Sequence, residues 1–435
     1  MAVNVSLMSA PNRVEVPFIK VQIGTYVFGV YHKTAVKMYD EQGFFKAQKI
    51  VYPNYVKSLT VRKINGQVNT YTLVLQYPIT QNDDPNFFEK VFSSVSKTRK
   101  IVFSYGDMAL PSYIYRDEQA IITSVKSSFN IQNAFNSVIQ YTVQAVSSAA
   151  LGTSGTYNFI TQGKRKPSDE IKKILYNPTY GLQELFYGMN DRAAVEAAGL
   201  IPGDDREVEL EAKLNISALD YISYLVSCMI PADGPYSNKL KDIYLLVIRD
   251  DTSYDDLGTR ETLGGPYFKI IRNNHTVDHS DAYELDIGYP SNNIVIAFNV
   301  QNDENYSIYY NWNKEISTEY YVRRLDDEGR WEDVYAPTIS SRNSLHKNRP
   351  NDSTYWTKVT EYPIKATVTL KGLLRPAILM TYVRLNVIFP GGKKHITSGL
   401  YIVTEQTDSI SENGYTTTLS LVRVGSDLGE TNYGI

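Results

Sequence analysis

The clearest strand pattern of the chain lies near its end, where residues His395 to Val424 read HITSGLYIVTEQTDSISENGYTTTLSLVRV. Two stretches with strand character flank a polar connection, and neither has the periodicity of a helix. Apolar and polar residues alternate along both stretches, which is typical of strands that bury one face. The segment therefore predicts a β-hairpin, and a second segment of the chain resembles it.

The same pattern occurs at the end of residues 1–150. Thr123 precedes Phe129 by six residues, as Thr404 precedes Ile410 by six residues, and apolar runs (AIIT and YIVT) lead into both. The alternating strands that follow are Phe135, Ser137, Ile139, Tyr141 and Val143 in the first case, and Tyr415, Thr417, Leu419, Leu421 and Arg423 in the second. We therefore predict two related β-domains separated by an inserted middle region.

The rest of the first domain also has strand patterns. Residues 17–31 alternate as one half-buried strand, and residues 58–77 predict a hairpin around Asn65 and Gly66. On that hairpin, one face would carry Tyr71, Leu73, Leu75 and Tyr77. Further strands are predicted at residues 100–105, 120–129 and 135–146.

Two helices are predicted from their start signals and apolar faces. One begins with Asp84 as its N-cap and Pro85 as its first residue, and the other begins at Ser217 in a pattern close to a capping box. Cys228 falls in the second helix, where we expect a buried structural thiol. The apolar faces are Phe88, Val91, Phe92 and Val95 in the first helix, and Leu219, Ile222, Val226 and Met229 in the second.

The segment 163–173, GKRKPSDEIKK, concentrates basic residues. It predicts a short helix with Ser168 as N-cap and with Asp169 and Glu170 in the first turn. A solvated loop and helix start is the preferred interpretation. Nucleic-acid contact is the alternative and would give steeply salt-dependent affinity for DNA, but the formal net charge of −3 does not indicate a general nucleic-acid binder.

The chain divides into three modules and a short tail, and the predicted fold class is mainly β with a few short helices. Small and polar residues indicate linkers at 147–158 and 340–354. Strand patterns recur between 242 and 335. The predicted modules are a β-domain at 1–150, an inserted α+β middle region at 151–354 that forms one or two subdomains, a second β-domain at 355–425, and a tail at 426–435.

Composition excludes several classes of protein. Hydrophobic residues at 43% and charged residues at 21% are normal for a folded, soluble chain. The 35 tyrosines far outnumber the 15 phenylalanines, which suits sheets that expose one face to solvent and surfaces that contact other subunits. A single cysteine excludes an internal disulfide and a cysteine-built zinc site. Neither a signal peptide nor the roughly 18 apolar residues of a spanning helix is present, so synthesis in the cytoplasm is expected.

The candidates for metal binding are weak. His275 and His279 have a spacing that suits a metal only on a helix, yet the asparagines and aspartates beside them indicate a loop. The acidic segment 250–256 does not match the pattern of a calcium-binding loop. We therefore predict no metal site and no cofactor.

The motifs for catalysis are equally weak. Ser94 with Lys97, and Ser344 with Lys347, fit S-x-x-K without the partner motifs that activate such a serine. Three tryptophans offer stacking surfaces for sugars, although core or interface roles are preferred: Trp312, Trp331 and Trp356. The sequence predicts no enzyme and no catalytic residues.

The closing module resembles a known family. Its segments ATVTLKG (366–372), VRLNVIFPGG (383–392) and the hairpin at 398–424 resemble the baseplate hub proteins of tailed bacteriophages and related contractile injection machines. The first domain, with its strands and the 85–95 helix, is similar to tail-tube domains. The positions that match the family's final hairpin are Gly399, Tyr401, Val403, Ile410, Tyr415, Thr417 and Leu421.

The resemblance implies two tail-tube-like β-barrel or sandwich domains per chain and a homotrimer. Three chains would then match a sixfold tail tube on one side and a threefold central spike on the other. Implied partners are the tail tube or distal tail protein, the spike, other baseplate proteins and the tape-measure protein. DNA would pass only transiently through the bore, without membrane insertion, in a virion tail assembled in the host cytoplasm. The alternative is a carbohydrate-binding or glycan-cleaving β-rich tail component, which a glycan array or a reducing-sugar assay would detect.

Overall fold

The computed structural model of the chain describes residues 17–29, 51–52, 55–64, 66–80, 83–107, 115–131, 137–161, 163–186, 189, 191–229, 231–232, 243–249, 267–273, 283–288, 295–302, 321–325, 331–335, 364–371, 382–395, 397–411 and 414–426. The predictions for 250–256, for His275 and His279, and for the linker at 340–354 lie outside these residues. Strands dominate the described residues and the helices are few and short, so the predicted fold class is confirmed.

The strands and helices are numbered in chain order. The strands are β1 (Pro17–Ile23), β2 (Tyr26–Gly29), β3 (Val51–Tyr52), β4 (Val56–Ile64), β5 (Thr70–Ile79), β6 (Lys100–Asp107), β7 (Tyr115–Asn130), β8 (Ser137–Ser147), β9 (Tyr157–Phe159), β10 (Lys164–Arg165), β11 (Val208–Glu209), β12 (Lys213–Ile216), β13 (Ile243–Arg249), β14 (Tyr267–Asn273), β15 (Tyr283–Gly288), β16 (Val295–Asn302), β17 (Tyr321–Leu325), β18 (Trp331–Tyr335), β19 (Ile364–Lys371), β20 (Tyr382–Phe389), β21 (Lys393–Lys394), β22 (Gly399–Ser411) and β23 (Gly414–Ser426). The helices are α1 (Phe87–Ser94), α2 (Pro167–Leu175), α3 (Leu182–Leu185), α4 (Arg192–Ala197) and α5 (Ala218–Cys228).

Fifteen of the described strands belong to one sheet. Its main path runs β16-β19-β23-β22-β4-β5-β8-β7-β6-β1-β2-β3, and β15, β20 and β21 extend it beside β22. Only the pairs β2–β3 and β15–β20 of this sheet are parallel among the described strands. Because β22 pairs directly with β4, the strands that close the chain and those that open it share one sheet.

Two runs of five strands follow the same order within this sheet. We call β4-β5-β8-β7-β6 the first repeat and β16-β19-β23-β22-β20 the second repeat. Every neighbouring pair in both repeats is antiparallel. A hairpin of two long strands, β7–β8 in one and β22–β23 in the other, lies inside each run. The hairpin pattern found twice in the sequence is thus part of a larger repeated unit.

A β-bulge interrupts the long hairpin at the same place in both repeats. Thr123 is the extra residue of β7, and Thr404 is the extra residue of β22. Each threonine hydroxyl donates a hydrogen bond to a carbonyl oxygen of the paired strand, that of Gln144 or that of Ser420, at 3.1 Å in both cases. A bulge changes the twist and direction of its strand, so the two hairpins are redirected at equivalent points.

A second pair of bulges aligns the first strands of the repeats. Lys57 is the extra residue of β4 opposite β5, and Ile296 is the extra residue of β16 opposite β19. Leu59 of β4 therefore corresponds to Phe298 of β16, since each lies two residues beyond its bulge. The two repeats share strand order, strand direction and both bulges.

The sequence alignment of the two hairpins was wrong by four residues after the turn. Phe129 pairs with Ile139, and Ile410 pairs with Tyr415, so Ile139 and not Phe135 corresponds to Tyr415. The reason is the connection, which spans residues 131–136 in the first repeat but only 412–413 in the second. The predicted assignment of residues to the two faces of the strand is still correct, because side chains alternate between faces and a shift of four residues keeps each one on the same face.

One hydrophobic core cluster draws on both repeats and holds the apolar faces predicted for β5, the first helix and the closing hairpin, whereas the face predicted for the second helix lies in a separate cluster. Phe88 of α1 is fully buried there, with its ring centroid 5.8 Å from Tyr55, 5.6 Å from Tyr77 and 5.1 Å from Tyr141. The core residues from the predicted faces are Tyr71, Leu73, Leu75 and Tyr77 of β5, Phe88, Val91 and Val95 of the helical stripe, and Tyr401, Val403, Ile410 and Tyr415 of the closing hairpin.

Helix α1 begins later than predicted. Its N-cap is Asn86, which makes no side-chain capping bond. Asp84, predicted as the N-cap, instead accepts a hydrogen bond from the backbone N–H of Asn86 at 2.9 Å and from Lys90 Nζ at 2.6 Å. A local turn closed by an aspartate therefore precedes the helix and delays its start by two residues.

Two other segments differ from their predictions. Residues 17–31 do not form one strand, because Gly24 at a φ of 59° turns the chain between β1 and β2. The predicted linker at 147–158 holds a short 3₁₀ helix, Ser148–Thr153, in which Ala149 is fully buried. The Ser147 side chain accepts a hydrogen bond from the N–H of Ala149 at 3.0 Å and so caps this helix.

The middle region has its own hydrophobic cluster around α2, α3 and α5. Strand β13 lies between the two clusters and is buried on both faces. Its residues Leu245 and Val247 belong to the main core, whereas Tyr244, Leu246 and Ile248 belong to the second cluster. The strand therefore joins the middle region to the repeats through its two faces.

Strands β15 and β16 lie in the main sheet, although the sequence analysis placed them in the middle region. β15 pairs with β20, and β16 pairs with β19 as the first strand of the second repeat. The reason is long-range pairing, which local periodicity does not encode. Strands β17 and β18, within the strand-rich range 242–335, pair antiparallel, and the residues that connect them lie outside the described residues.

We predict that Phe88→Ala lowers the free energy of unfolding by about 3–5 kcal/mol, because it leaves a cavity among six neighbouring aromatic rings. Ile160→Ala is the control, since that side chain is 70% exposed, and its effect should stay within about 0.5 kcal/mol. Urea unfolding followed by tryptophan fluorescence measures both. Equal effects of the two substitutions would contradict the packing described here.

Candidate functional site

The contact between the two repeats is the best-defined interface in the described chain. Residues 405–411 of β22 pair antiparallel with residues 58–64 of β4, from Glu405 opposite Ile64 to Ser411 opposite Ser58. We call this contact the internal seam. It joins the second repeat to the first through backbone hydrogen bonds and has a solvent face and a core face.

A buried ion pair lies at the core face of the internal seam. Lys63 of β4 donates to Glu118 of β7 at 2.8 Å, and the two side chains are 5% and 0% exposed. The hydroxyl of Tyr71 donates to the other carboxylate oxygen at 2.9 Å, and the hydroxyl of Tyr105 donates to it at 3.1 Å. The Lys63 ammonium also lies 5.7 Å from the centroid of the Tyr105 ring. Glu118 is thus neutralised and hydrogen-bonded inside the core.

A second carboxylate, Asp408 of β22, is buried close to this pair. It accepts hydrogen bonds from Gln406 Nε2 at 2.7 Å, from Thr417 Oγ1 at 2.7 Å and from the hydroxyl of Tyr415 at 3.1 Å. Burial raises the pKa of Asp408, while Lys63 and the three hydrogen bonds act in the opposite direction. The lysine from one repeat therefore stabilises a carboxylate of each repeat.

The solvent face of the internal seam carries another ion pair. Arg62 Nε lies 2.6 Å from Glu405 Oε1, with the arginine side chain 54% exposed. Glu405 raises the pKa of Arg62 through this hydrogen bond and its charge. Because exposed pairs contribute only about 0–1 kcal/mol, this contact adds little stability but favours the observed register.

The sequence analysis did not single out Lys63, Glu118 or Asp408. The signal was present in β4, where Leu59, Val61 and Lys63 share the core face, so that a lysine takes an apolar position. Its partner could not be found in the same way, because Glu118 lies on a strand that does not pair with β4. A charged residue at an apolar position indicates an ion pair but not the residue that completes it.

The predicted site candidates do not come together in the described residues. Ser344, Lys347, Trp312 and Trp356 lie outside these residues, and Trp331 begins β18. The remaining S-x-x-K pair does not activate its serine, because the Ser94 hydroxyl donates to the carbonyl of Val91 at 2.6 Å. Within the described ranges, no group of three or more His, Cys, Asp or Glu side chains is placed to hold a metal ion.

The basic segment 163–173 makes contacts within the protein. Arg165 lies 3.1 Å from Glu170, and Lys173 lies 2.7 Å from the same carboxylate. Lys166 Nζ donates to the carbonyl of Gly203 at 3.4 Å. These contacts favour a solvated helix start over a nucleic-acid site.

The capping predictions in the middle region had different outcomes. Ser168 is not the N-cap of α2, because Pro167 already begins the helix, and its hydroxyl and backbone N–H instead donate to the buried Asp205. Ser217 is the N-cap of α5 and accepts from the N–H of Asp220 at 3.1 Å, as predicted. Cys228 is buried in α5, as predicted, and burial raises its pKa to about 11.

We predict that Lys63→Met lowers the free energy of unfolding by about 3–5 kcal/mol, because it leaves the Glu118 carboxylate buried without a counter-charge. The double variant Lys63→Met with Glu118→Gln should recover part of this loss. Lys57→Met is the matched control, since Lys57 is exposed on the same strand. Urea unfolding of wild type, Lys63→Met, Glu118→Gln and the double variant gives the coupling energy, and a coupling of zero would contradict the role of the pair.

We predict a pH dependence that belongs to Asp408. Its pKa is raised in the folded chain, so between its unfolded and folded pKa values the folded state binds more protons. Its contribution to stability is therefore present at acid pH and is lost as the pH rises. The free energy of unfolding of wild type minus that of Asp408→Asn should fall from pH 4 towards neutrality, as measured by urea unfolding. A difference that rises with pH would contradict the direction of this pKa shift.

No family model matches the chain, and no curated protein matches its sequence. No described helix is long and apolar enough to cross a membrane.

Comparison with solved structures finds phage tail proteins and a component of a bacterial secretion system. The 43 kDa tail protein of prophage MuSo2 from Shewanella oneidensis is 11% identical, with a TM-score of 0.46 over 95% of this chain and 98% of that one. A tail protein from Neisseria meningitidis is 9% identical, with a TM-score of 0.44 over 94% of this chain and 97% of that one. An E. coli component of the type VI secretion system, described as structurally similar to the T4 tail proteins gp27 and gp5, is 12% identical, with a TM-score of 0.41 over 85% of this chain and 73% of that one.

Proposed function

We propose that this protein is the structural baseplate hub of a phage tail or of a related contractile injection machine. In this role it is a trimeric adaptor between a sixfold tail tube and a threefold central spike. It performs no chemistry of its own, and its bore lets DNA or tape-measure protein pass. The resemblance of the closing hairpin to hub proteins supports the class of machine.

The observation that carries the proposal is the repeat within one chain. Both repeats have five antiparallel strands in the same order, with bulges at Lys57 and Thr123 in the first and at Ile296 and Thr404 in the second. Three chains would therefore present six similar units around one axis. Such a ring has strict threefold and approximate sixfold symmetry, so it can contact a hexameric ring on one side and a trimer on the other.

The proposed partners follow from these two symmetries. The tail tube or distal tail protein would contact the face on which the six units are equivalent. The central spike would contact the face on which only the threefold relation holds, and other baseplate proteins would bind the periphery. The proposed location is the tail of the virion, after assembly in the host cytoplasm and without membrane insertion.

We predict that the purified protein, alone or with its spike, forms a particle of three 49.3 kDa chains. Native mass spectrometry measures the mass, and class averages from electron microscopy should show six similar lobes around a central opening. The lobes should be related in pairs, because each chain supplies one copy of each repeat.

A monomer that stays monomeric at high concentration and in mixtures with tube and spike proteins would contradict the proposed function. A stable dimer would contradict it as well, since a dimer would present only four units. Glycan arrays on the same preparation would show binding if the protein were instead a carbohydrate-binding tail component.

A further inference from the structure

Among the described strands, none covers one edge of the long strand β7 beyond its bulge. β6 pairs with β7 only as far as Ile121, and from Ser124 to Asn130 the described strands cover one edge of β7, through β8. Every residue from Val125 to Ile131 is exposed. Phe129 is 61% exposed and Ile131 is 78% exposed, which is unusual for large apolar residues on a strand edge.

The equivalent half of β22 is covered on both edges. Counting from the two threonine bulges, Val125 corresponds to Gln406 and Phe129 to Ile410. Gln406 and Ile410 are both 0% exposed, whereas Val125 is 39% exposed. The difference is β4, which pairs with β22 at the internal seam and has no counterpart beside β7 among the described strands.

The counterpart of β4 in the second repeat is β16, and one edge of β16 is also left uncovered by the strands that the structure describes. β16 pairs with β19 only among the described strands. Phe298 and Val300 correspond to Leu59 and Val61 of β4, which are fully buried, yet Phe298 and Val300 are only half-buried. In the described part of each chain, β7 therefore has an edge with no β4-like strand beside it, and the β4-like strand β16 has no such edge beside it.

We propose that residues 124–130 of β7 in one copy pair antiparallel with β16 of the next copy, in the register of the internal seam. This inference deepens the proposed function and rests on it, because it names the contact that closes the ring. By equivalence with the internal seam, Phe129 lies opposite Phe298, Ser128 opposite Asn299, and Ser127 opposite Val300. We call this contact the external seam.

The external seam would bury the apolar residues that each copy leaves exposed. In the external seam, the pair Phe129–Phe298 corresponds to the pair Ile410–Leu59 of the internal seam. Directly opposed aromatic residues on antiparallel strands stabilise each other. The backbone N–H and C=O groups of both edges would gain partners at the same time. The contact is heterologous, so each copy uses one edge to bind the preceding copy and the other to bind the following copy.

The two seams differ in charge. In the internal seam, Lys63 and Asp408 are buried, whereas the equivalent positions of the external seam hold Asn302 and Ser127. The core-facing positions of the two edges thus carry no charge, and Lys126 of β7 corresponds to Thr407, which lies opposite Arg62 on the solvent face of the internal seam. This favours a second copy as the occupant of the edge, since the internal seam already pairs the same two types of strand.

The test is a register-specific cross-link between copies. Ser128→Cys and Asn299→Cys chains, each carrying one substitution, are mixed and oxidised. We expect a cross-linked pair, because opposed Cβ atoms lie about 4.5–5.5 Å apart. Thr60→Cys with Ser409→Cys in one chain is the positive control, since these residues are opposed in the internal seam. Native Cys228 is buried and its pKa is raised to about 11, so it should not compete.

The out-of-register mixture of Ser128→Cys with Gln301→Cys is the negative control, because diagonal neighbours lie about 7–8 Å apart.

A second variant, Phe129→Asp, should raise the concentration needed for assembly by about tenfold or more, without changing the secondary structure of the dilute chain. Ile160→Asp, at an exposed position outside both seams, should leave assembly unchanged.

The outcomes separate the external seam from the proposed function. An intact trimer whose in-register pair cross-links no faster than the out-of-register pair would overturn the external seam and leave the hub proposal standing. A protein that remains monomeric would overturn both. A trimer with selective cross-linking at Ser128–Asn299 and weakened assembly of Phe129→Asp would support both.

Discussion

The structure depends on one requirement, which is that a strand redirected by a bulge needs a new partner for its free edge. β20 pairs with β22 only up to Ile402, before the bulge at Thr404, and the rest of the strand turns away from it. Its N–H and C=O groups then lie over the core, where backbone groups without partners are costly. β4 supplies the missing hydrogen bonds along residues 58–64. This contact turns two repeats into one sheet and gives them a common core.

The buried charges determine which strand occupies that edge and in which register. A slip of β22 by one residue along β4 would turn Gln406 and Asp408 to solvent, because successive residues of β22 face opposite sides of the sheet. Asp408 would then lose its position near Lys63, because the face of Lys63 is fixed by the pairing of β4 with β5. A buried ion pair is a poor source of net stability, but breaking one is strongly unfavourable, so its main effect is to penalise wrong pairings. The internal seam thus has two sources of stability. The backbone hydrogen bonds could form with any strand, whereas the buried charges favour one strand in one register.

Local features of the fold could be predicted from the sequence, whereas long-range pairing could not. The core face of β5 and the bulge threonines Thr123 and Thr404 were identified because strand alternation and short spacings are local properties. The strand at 295–302 was also recognised, but not its place beside β19, which lies more than sixty residues further along the chain. The ion pair was missed for the same reason. Lys63 is recognisable as a charged residue at an apolar position, but no nearby residue in the sequence indicates that Glu118 is its partner.

The difference in charge between the seams bears on the order in which they form. The two strands of the internal seam belong to one chain, so their effective concentration is high and their pairing precedes assembly. Lys63 and Asp408 are then already buried when a second copy approaches. The edges that remain, at 124–130 and 295–302, have neutral core-facing positions, so β16 offers Asp408 no cation in place of Lys63. A copy that paired β16 with its own β22 would leave Asp408 without the charge of Lys63 nearby. The internal charges thus keep the neutral edges available for another copy.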